Sequence, residues 1–414
     1  MNRSKITPEA QQRKPARRGC VPSCSPVPSL YVWQESKYLE LAVSSIGEGR
    51  LPHCMKIGLV RRGFSQTGGA ESYLKRLGCA LTDAGHQAIL YSTRDWPPAE
   101  WPYGPLIRSE ALSPLRFAKA IQAGRRPDEI LFSLDRILRC DCYRAGDGVH
   151  KVWLERRAAH EPGWRTFFRF ANHKHAEILE LERNLFERGG ARHVIANSRM
   201  VQKEIIRAFG YPPDKITVIY NGLPDVHFKR KAHDRLEMRR EWGLQKDDVA
   251  FLFAGSGWKR KGLRYAIQAI GRISNPNARL LVAGTGKQQS YRSNRVRFLG
   301  PVADMQSLFL ASDTFVLPTV YDPFSNACLE ALSYGLPVLT TASNGFAEVM
   351  VSGVHGEIIN HADDVAALQR AIEKWIDPNR RESAREKCVE IARGYTMGRN
   401  VEQTLNVLES LKRA

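Results

Sequence analysis

Several features are missing from this 414-residue chain, and each absence narrows what it can be. No apolar run approaches the ~18 residues of a membrane-spanning helix, so a chain that crosses a bilayer is not expected. The eight cysteines supply no metal set: Cys20-x3-Cys24 and Cys140-x-Cys142 lack partner pairs at zinc spacing, and Cys79, Cys328 and Cys388 fall on apolar faces, as reduced thiols do. The first strand is not followed by Gly-x-Gly-x-x-Gly with an acid some way beyond, which argues against a dinucleotide-dependent oxidoreductase. Repeats and low-complexity arrays are missing too. Acidic residues are scarce: 43 Asp+Glu face 62 Lys+Arg, for a net charge of +19. Residues 1–224 carry most of the excess, with 35 basic side chains against 22 acidic ones. Such an imbalance suits an anionic partner such as nucleic acid, anionic lipid or a phosphorylated acceptor, and a merely solvated surface would carry it as well. Without a nucleic-acid recognition fold or aromatics interleaved on one sheet, nucleic acid is the remote reading and is not expected as a partner.

What the chain does contain is a series of short apolar segments that end in glycine or polar residues and alternate with helical stretches. Residues 1–54 are rich in Pro, Ser and basic residues, and read as a disordered basic arm or as upstream sequence, with Met55 as a natural start. A first strand at 55–61 leads through Arg62-Gly63-Phe64-Ser65-Gln66-Thr67-Gly68-Gly69 into a helix at 70–84; on its own Gly68-Gly69 is no more than a tight turn. Strands follow at 87–92, 129–134 and 142–145, and the last leads to Asp147 at the level where reacting groups gather. An Asp-Gly turn explains Asp147 as well as a catalytic carboxylate does. Residues 151–188 mix Arg156, Arg157, Arg165 and Arg169 with Trp153, Trp164, Phe167, Phe168 and Phe170, which fits a basic-aromatic membrane surface or an ordinary amphipathic helix pair. His173 and His175 do not share a helix face, which argues against a metal pair.

After strands at 193–198 and 215–220, Asn221-Gly222-Leu223-Pro224 begins a linker. A second series opens with a buried strand at 249–255 and then Trp258-Lys259-Arg260-Lys261-Gly262, where adjacent cations at a glycine-flanked helix start suit a diphosphate. Three cations in a row leave the register open among Lys259, Arg260 and Lys261. Strands at 278–284 and 296–300 precede the stretch Thr314 to Thr341, a βαβ unit whose helix opens near Phe324 or Ser325 and closes at Gly335-Leu336-Pro337. The amides of Phe324, Ser325 and Asn326 sit at the positive end of that helix, suited to a phosphate, with Asp322 before it and Glu330 along it. A nucleotide-sugar, with sugar, diphosphate and ribose, has a matching layout.

Asp322-x7-Glu330, inside Pro-Phe-x-Asn-x-x-Leu-Glu-Ala-x-x-x-Gly-x-Pro-Val, resembles the acidic-x7-acidic signature of the family 4 retaining glycosyltransferases. The resemblance covers about residues 55–412. It implies the GT-B fold: an α/β protein of two facing doubly wound Rossmann-like domains, with a last helix, about 400–412, crossing back to the first. The domains would be an acceptor-binding one at 55–224, a nucleotide-sugar-binding one at 225–395, and the returning helix at 396–414. In that family the first acid contacts the donor sugar and the second the ribose; here the first is Asp322 where Glu is usual. Arg260 and Lys261 inherit the donor phosphates, Gly68 and Gly69 lie beneath them, and Phe298 belongs to the segment that binds the base. The segment around Asp147 resembles that of the bacterial lipopolysaccharide core glucosyltransferases, many relatives having a His nearby, for which His150 is the candidate. The resemblance thus implies metal-free, cofactor-free transfer of a hexose, from UDP-glucose as first choice, to a lipopolysaccharide core acceptor. The alternative within the fold is an exopolysaccharide or other lipid-linked glycan. The basic first half then places a cytoplasmic enzyme against the anionic inner membrane.

Overall fold

The computed structural model describes residues 54–65, 69–111, 113–160, 173–224, 235–288, 291 and 293–413. The amino-terminal arm up to residue 53, Gly68, the aromatic-basic residues of 161–172 and the linker 225–234 lie outside them.

Two parallel sheets organise the chain. The first contains β1 (Lys56–Val60), β2 (Gln87–Thr93), β3 (Leu106–Ser109), β4 (Glu129–Ser133), β5 (Cys140–Ala145), β6 (Ala191–Ala196) and β7 (Ile216–Val218), in spatial order 3-2-1-4-5-6-7. The second contains β8 (Val249–Ala254), β9 (Ala278–Ala283), β10 (Val296–Gly300), β11 (Thr314–Leu317), β12 (Val338–Thr341) and β13 (Gly356–Ile359), in order 10-9-8-11-12-13. Every described strand pair within these sheets is parallel. Helices cover both faces, which is why β8 reads Val-Ala-Phe-Leu-Phe-Ala with all six residues buried rather than alternating. This is the expected doubly wound α/β architecture.

Strand order dictates where a ligand can sit. The chain winds outward from β1 and then returns to β4 on its other side, and does the same with β8 and β11. At each switch the loops after adjacent strands diverge and open a crevice at the carboxyl ends. The four segments concerned begin at Arg61, at Leu134, at Gly255 and at Pro318.

Alternate residues of the first sheet supply two cores. Ile57, Leu59 and Leu90 pack on one face; Val60, Ile89 and Tyr91 pack on the other. On the first of these faces lies the carboxyl-terminal helix, Met397–Arg413, whose Val401 and Leu408 join the core and whose Thr404 hydroxyl stands 3.4 Å from that of Tyr73. The expected return to the first domain is therefore present. Fully burying a leucine of this kind contributes about 1.5–3 kcal/mol.

Two elements were not legible beforehand. β3 is a four-residue edge strand with no fully buried position, and the helix Pro114–Gly124 carries its N-cap in Ser113 rather than in any glycine or acid signal. Cys79 corrects the sequence reading: it is exposed on the outer side of the helix Gly69–Asp83, whereas Cys140, Cys142, Cys328 and Cys388 are buried free thiols. No helix among the described residues is long and apolar enough to cross a membrane.

Candidate active site

A cavity of about 360 Å3 opens between the two sheets, lined from the first by Arg61, Gly69, Tyr73, Arg76, Arg144 and Asp147, and from the second by Arg260, Lys261, Asp322, Ser325, Asn326 and Glu330. The four crevice loops all contribute.

On the second-sheet side, the turn after β8 is tied down by its backbone. Arg260 accepts from the Val320 amide and the Thr319 hydroxyl, and its Nη1 donates to the Tyr321 carbonyl at 3.1 Å. Two glycines make this approach possible. Gly262 has φ +74°, and a Cβ there would lie 1.9 Å from the Pro318 carbonyl oxygen; a Cβ on Gly255 would lie 2.7 Å from Lys261 Cδ. Of the three adjacent cations, Arg260 and Lys261 line the cavity, and Lys259 is exposed.

Lys261 Nζ donates to Asp322 Oδ2 at 3.2 Å, with Arg260 Nη1 at 4.0 Å from the same oxygen. Burial pushes the Asp322 carboxyl upward, but Lys261 and Arg260 outweigh it and hold the group below the usual carboxylate range. Glu330 goes the other way. Burial raises it, and Arg76 and Lys261 offset only part of the rise. The carboxylate before this helix and the one along it are thus electrically distinct.

The helix N-terminus offers less than its sequence suggests. The helix Asn326–Ser333 is capped at Ser325, whose amide donates to Asn344 Oδ1 at 3.2 Å. Of the three amides expected to meet a phosphate, that of Ser325 is already engaged within the protein. Asn326 is tied to the other domain, its Oδ1 accepting from Asn221 Nδ2 at 2.7 Å.

On the first-sheet side, Arg61 organises three carboxylates. It donates to Glu71 Oε1 at 3.1 Å and stands 3.7 Å from both Asp135 and Asp147. Burial opposes its charge, but Asp135, Asp147 and Glu71 together keep it more firmly protonated than a free arginine. Asp147 lies on the cavity wall, its side chain more than half exposed. Arg144 is buried, its guanidinium 4.1 Å from the Tyr73 ring centre and its Nη2 donating to Asn221 Oδ1 at 2.6 Å.

His150 is not on this wall. It opens the helix His150–Ala159 and its Nε2 sits 2.9 Å from His175 Nδ1, so that of the two acceptor-side candidates only Asp147 faces the cavity. Phe298 is also away from it, packed on Trp258 with ring centres 5.4 Å apart. Gly69 lies across from Asn326, where a Cβ would stand 3.4 Å from Nδ2. Arg61, Tyr73, Arg76 and Arg144 were not singled out from sequence, and Asn221 was read only as a linker turn. For Arg61 a signal existed, since it ends the first strand at a topological switch. Arg76 and Arg144 carried none, because an arginine in a helix or strand looks like any surface cation. No group of three or more His, Cys, Asp or Glu among the described residues could hold a metal ion.

This geometry can bind a polyanion against Arg260 and Lys261, hold hydroxyls with Asp322 and Glu330, and present Asp147 from the opposite wall. Two family models match: residues 67–225 match the one described as Glycosyltransferase Family 4, and residues 248–377 the one described as Glycosyl transferases group 1. One lies on each sheet domain, and together they span well over half of the chain. The chain is 31% identical over 199 residues to the uncharacterized glycosyltransferase MJ1607 of Methanocaldococcus jannaschii, a match covering 44% of this chain and 51%, about half, of that relative's length. Among solved structures, WaaG, a glycosyltransferase involved in lipopolysaccharide biosynthesis, aligns with a TM-score of 0.71 at 19% identity, covering 85% of this chain and 99% of its own. Anabaena Alr3699/HepE in complex with UDP aligns with a TM-score of 0.67 at 20% identity, covering 86% and 100%. At these identities the two structures show a shared fold.

Proposed function

We propose that this chain, which belongs to the family 4 glycosyltransferases and has their two-domain GT-B fold, transfers a hexose from a nucleoside diphosphate sugar to a hydroxyl of a lipid-linked glycan. The observation that carries the reading is the Arg260, Lys261 and Asp322 cluster, facing Asp147 across one cavity.

In this reading the acceptor oxygen attacks the anomeric carbon from the face the diphosphate leaves. The carbon–oxygen bond to the diphosphate breaks, and the acceptor proton passes to the departing phosphate, so configuration is retained and charge balances. Arg260 and Lys261 stabilise the charge growing on the diphosphate, work that a divalent cation does in other transferases. Asp322 orients the sugar, Glu330 the ribose, and Asp147 the acceptor hydroxyl or the cationic ring. The donor is UDP-glucose as first choice, supported by the UDP bound to the Anabaena relative. The acceptor is lipopolysaccharide core as first choice, supported by the role of WaaG. The basic excess of residues 1–224 supports a location against anionic lipid on the cytoplasmic face of the membrane.

The test is a panel of nucleotide-sugars incubated with the full chain in EDTA, scored for thermal stabilisation and slow donor hydrolysis. One sugar nucleotide should stabilise the protein, and the effect should vanish in Glu330→Ala. Binding of nucleic acid or NAD, with no response to any sugar nucleotide, overturns the reading.

A further inference from the structure

We propose that Tyr321 is a positioning residue, whose hydroxyl fixes the Asp147-Gly148-Val149 loop of the first domain relative to Asp322 of the second. The inference rests on the transferase reading above and adds a residue to it.

Tyr321 immediately precedes Asp322 in the loop after β11, yet its ring is only 1% exposed and belongs to the core of the first domain, with Tyr143, Val149, Val152 and Val201. Its Oη accepts from the Val149 amide at 2.8 Å and donates to Glu204 Oε2 at 2.9 Å. The other oxygen of Glu204 accepts from Arg156 Nη2 at 2.7 Å. Trp153 stacks on the ring, with centres 6.2 Å apart at an interplanar angle of 22°. Burial, followed by the Glu204 charge, drives the phenol well above its ordinary range, so it remains an O–H donor throughout the working pH range.

The loop it carries is the one that presents Asp147. Gly148 has φ +70°, and a Cβ there would lie 2.3 Å from Tyr321 Oη, so the loop rests directly on the hydroxyl. The Tyr321 main chain meanwhile holds the donor side, its carbonyl accepting from Arg260 Nη1 at 3.1 Å. One residue therefore joins the cation that would meet the diphosphate to the loop that would meet the acceptor. Packing alone does not require the hydroxyl, since phenylalanine would fill the same space. Two satisfied bonds from a fully buried phenol instead define a distance between two domains, and errors of about 1 Å at a reacting centre cost ~100-fold in rate.

The test uses the full chain with UDP-glucose as the probe. Hydrolysis kinetics and backbone hydrogen exchange of the peptide containing Gly148 and Val149 are followed in Tyr321→Phe, Asp147→Asn and the double variant. The expected result is a fall in kcat of at least tenfold in Tyr321→Phe, with KM for the donor within twofold and faster exchange confined to that peptide. Because Tyr321 acts through Asp147, adding Tyr321→Phe to Asp147→Asn should lower kcat by less than a further twofold. Gly148→Ala, which presses on the same hydroxyl from the loop side, should reproduce the kcat loss, and it serves if Tyr321→Phe does not fold. Multiplicative losses in the double variant, or unchanged exchange at Gly148 and Val149, overturn the role of Tyr321 alone. A wild-type chain that neither binds nor hydrolyses any sugar nucleotide overturns the parent reading, and this one with it.

Discussion

Lys261 Nζ and Asp322 Oδ2 stand 3.2 Å apart with both side chains largely buried, and Arg260 reaches the same oxygen only at 4.0 Å. Such a pair constrains what each partner can be. Lys261→Met would leave a buried carboxylate with one distant counter-charge, and breaking a buried pair costs about 3–5 kcal/mol. Urea unfolding should show a loss of that order, together with loss of donor binding by calorimetry. Adding Asp322→Asn should recover much of the stability and none of the binding. Full stability in Lys261→Met would show that the pair is not formed in solution.

Glu330 presents the opposite case. Its carboxyl is raised by burial, so its folded-state pKa exceeds the unfolded one, and the stability it contributes in its protonated form at low pH is lost as pH rises through the folded value. At neutral pH the ionised group is a cost that function requires. Glu330→Gln should therefore stabilise the free protein at pH 7, by about 0.5–2 kcal/mol as such trade-offs run, while weakening nucleotide-sugar binding at least tenfold. The stabilisation should shrink as pH falls toward 4. A less stable variant at pH 7 would contradict the assignment.

The Glu348 carboxylate ties the domains at one end of the cleft. It accepts from the amides of Arg199 and Met200 at 2.8 and 2.6 Å, capping the helix Arg199–Phe209 from the other domain, and also accepts from the Tyr220 hydroxyl at 2.9 Å. A carboxylate at a helix N-terminus satisfies orphan amides and the dipole together. Glu348→Ala should cost about 1–2 kcal/mol, the range for losing a cap, and small-angle scattering should show a wider distribution of interdomain separations. Glu348→Gln should retain part of both. Scattering identical to wild type in Glu348→Ala would mean that the tie does not set domain spacing.

How much of this was readable follows from which interactions are local. Parallel strands announced themselves because burial on both faces makes a run like Val249–Ala254 apolar throughout. The Asp322/Glu330 unit was readable because strand, turn and helix follow one another within the chain. Legibility failed wherever a partner came from far away. Nothing near Ser325 shows that Asn344 takes its amide, nothing near Gly148 shows that Tyr321 lies beneath it, and nothing near Arg199 shows that Glu348 caps it. His150 was an acceptor-side candidate through the family resemblance, but the helix that starts there turns it toward His175.

That histidine pair gives the last prediction. His150 lies among groups that oppose a second positive charge: burial is the largest cause, followed by Arg136, His175 and Lys174, and together they depress it to about 3. The Glu182 carboxylate beside it is occupied, accepting from the His150 amide at 2.6 Å, the Lys151 amide at 3.0 Å and Arg136 Nε at 2.9 Å. Since the folded-state pKa is depressed, the unfolded chain takes up a proton near pH 6.5 that the folded chain refuses until about 3. Stability contributed by neutral His150 is therefore present above pH 6.5 and declines as pH falls toward 3, by at most about 1.4 kcal/mol per pH unit. His150→Gln, which cannot titrate, should remove that slope between pH 6 and 4 when urea unfolding is compared pairwise with wild type. Asp322 cannot mimic the effect, because its depressed pKa confines its loss of stability to a more acidic window. Parallel stability curves for wild type and His150→Gln across that range would show that the ring is free to protonate in the folded protein.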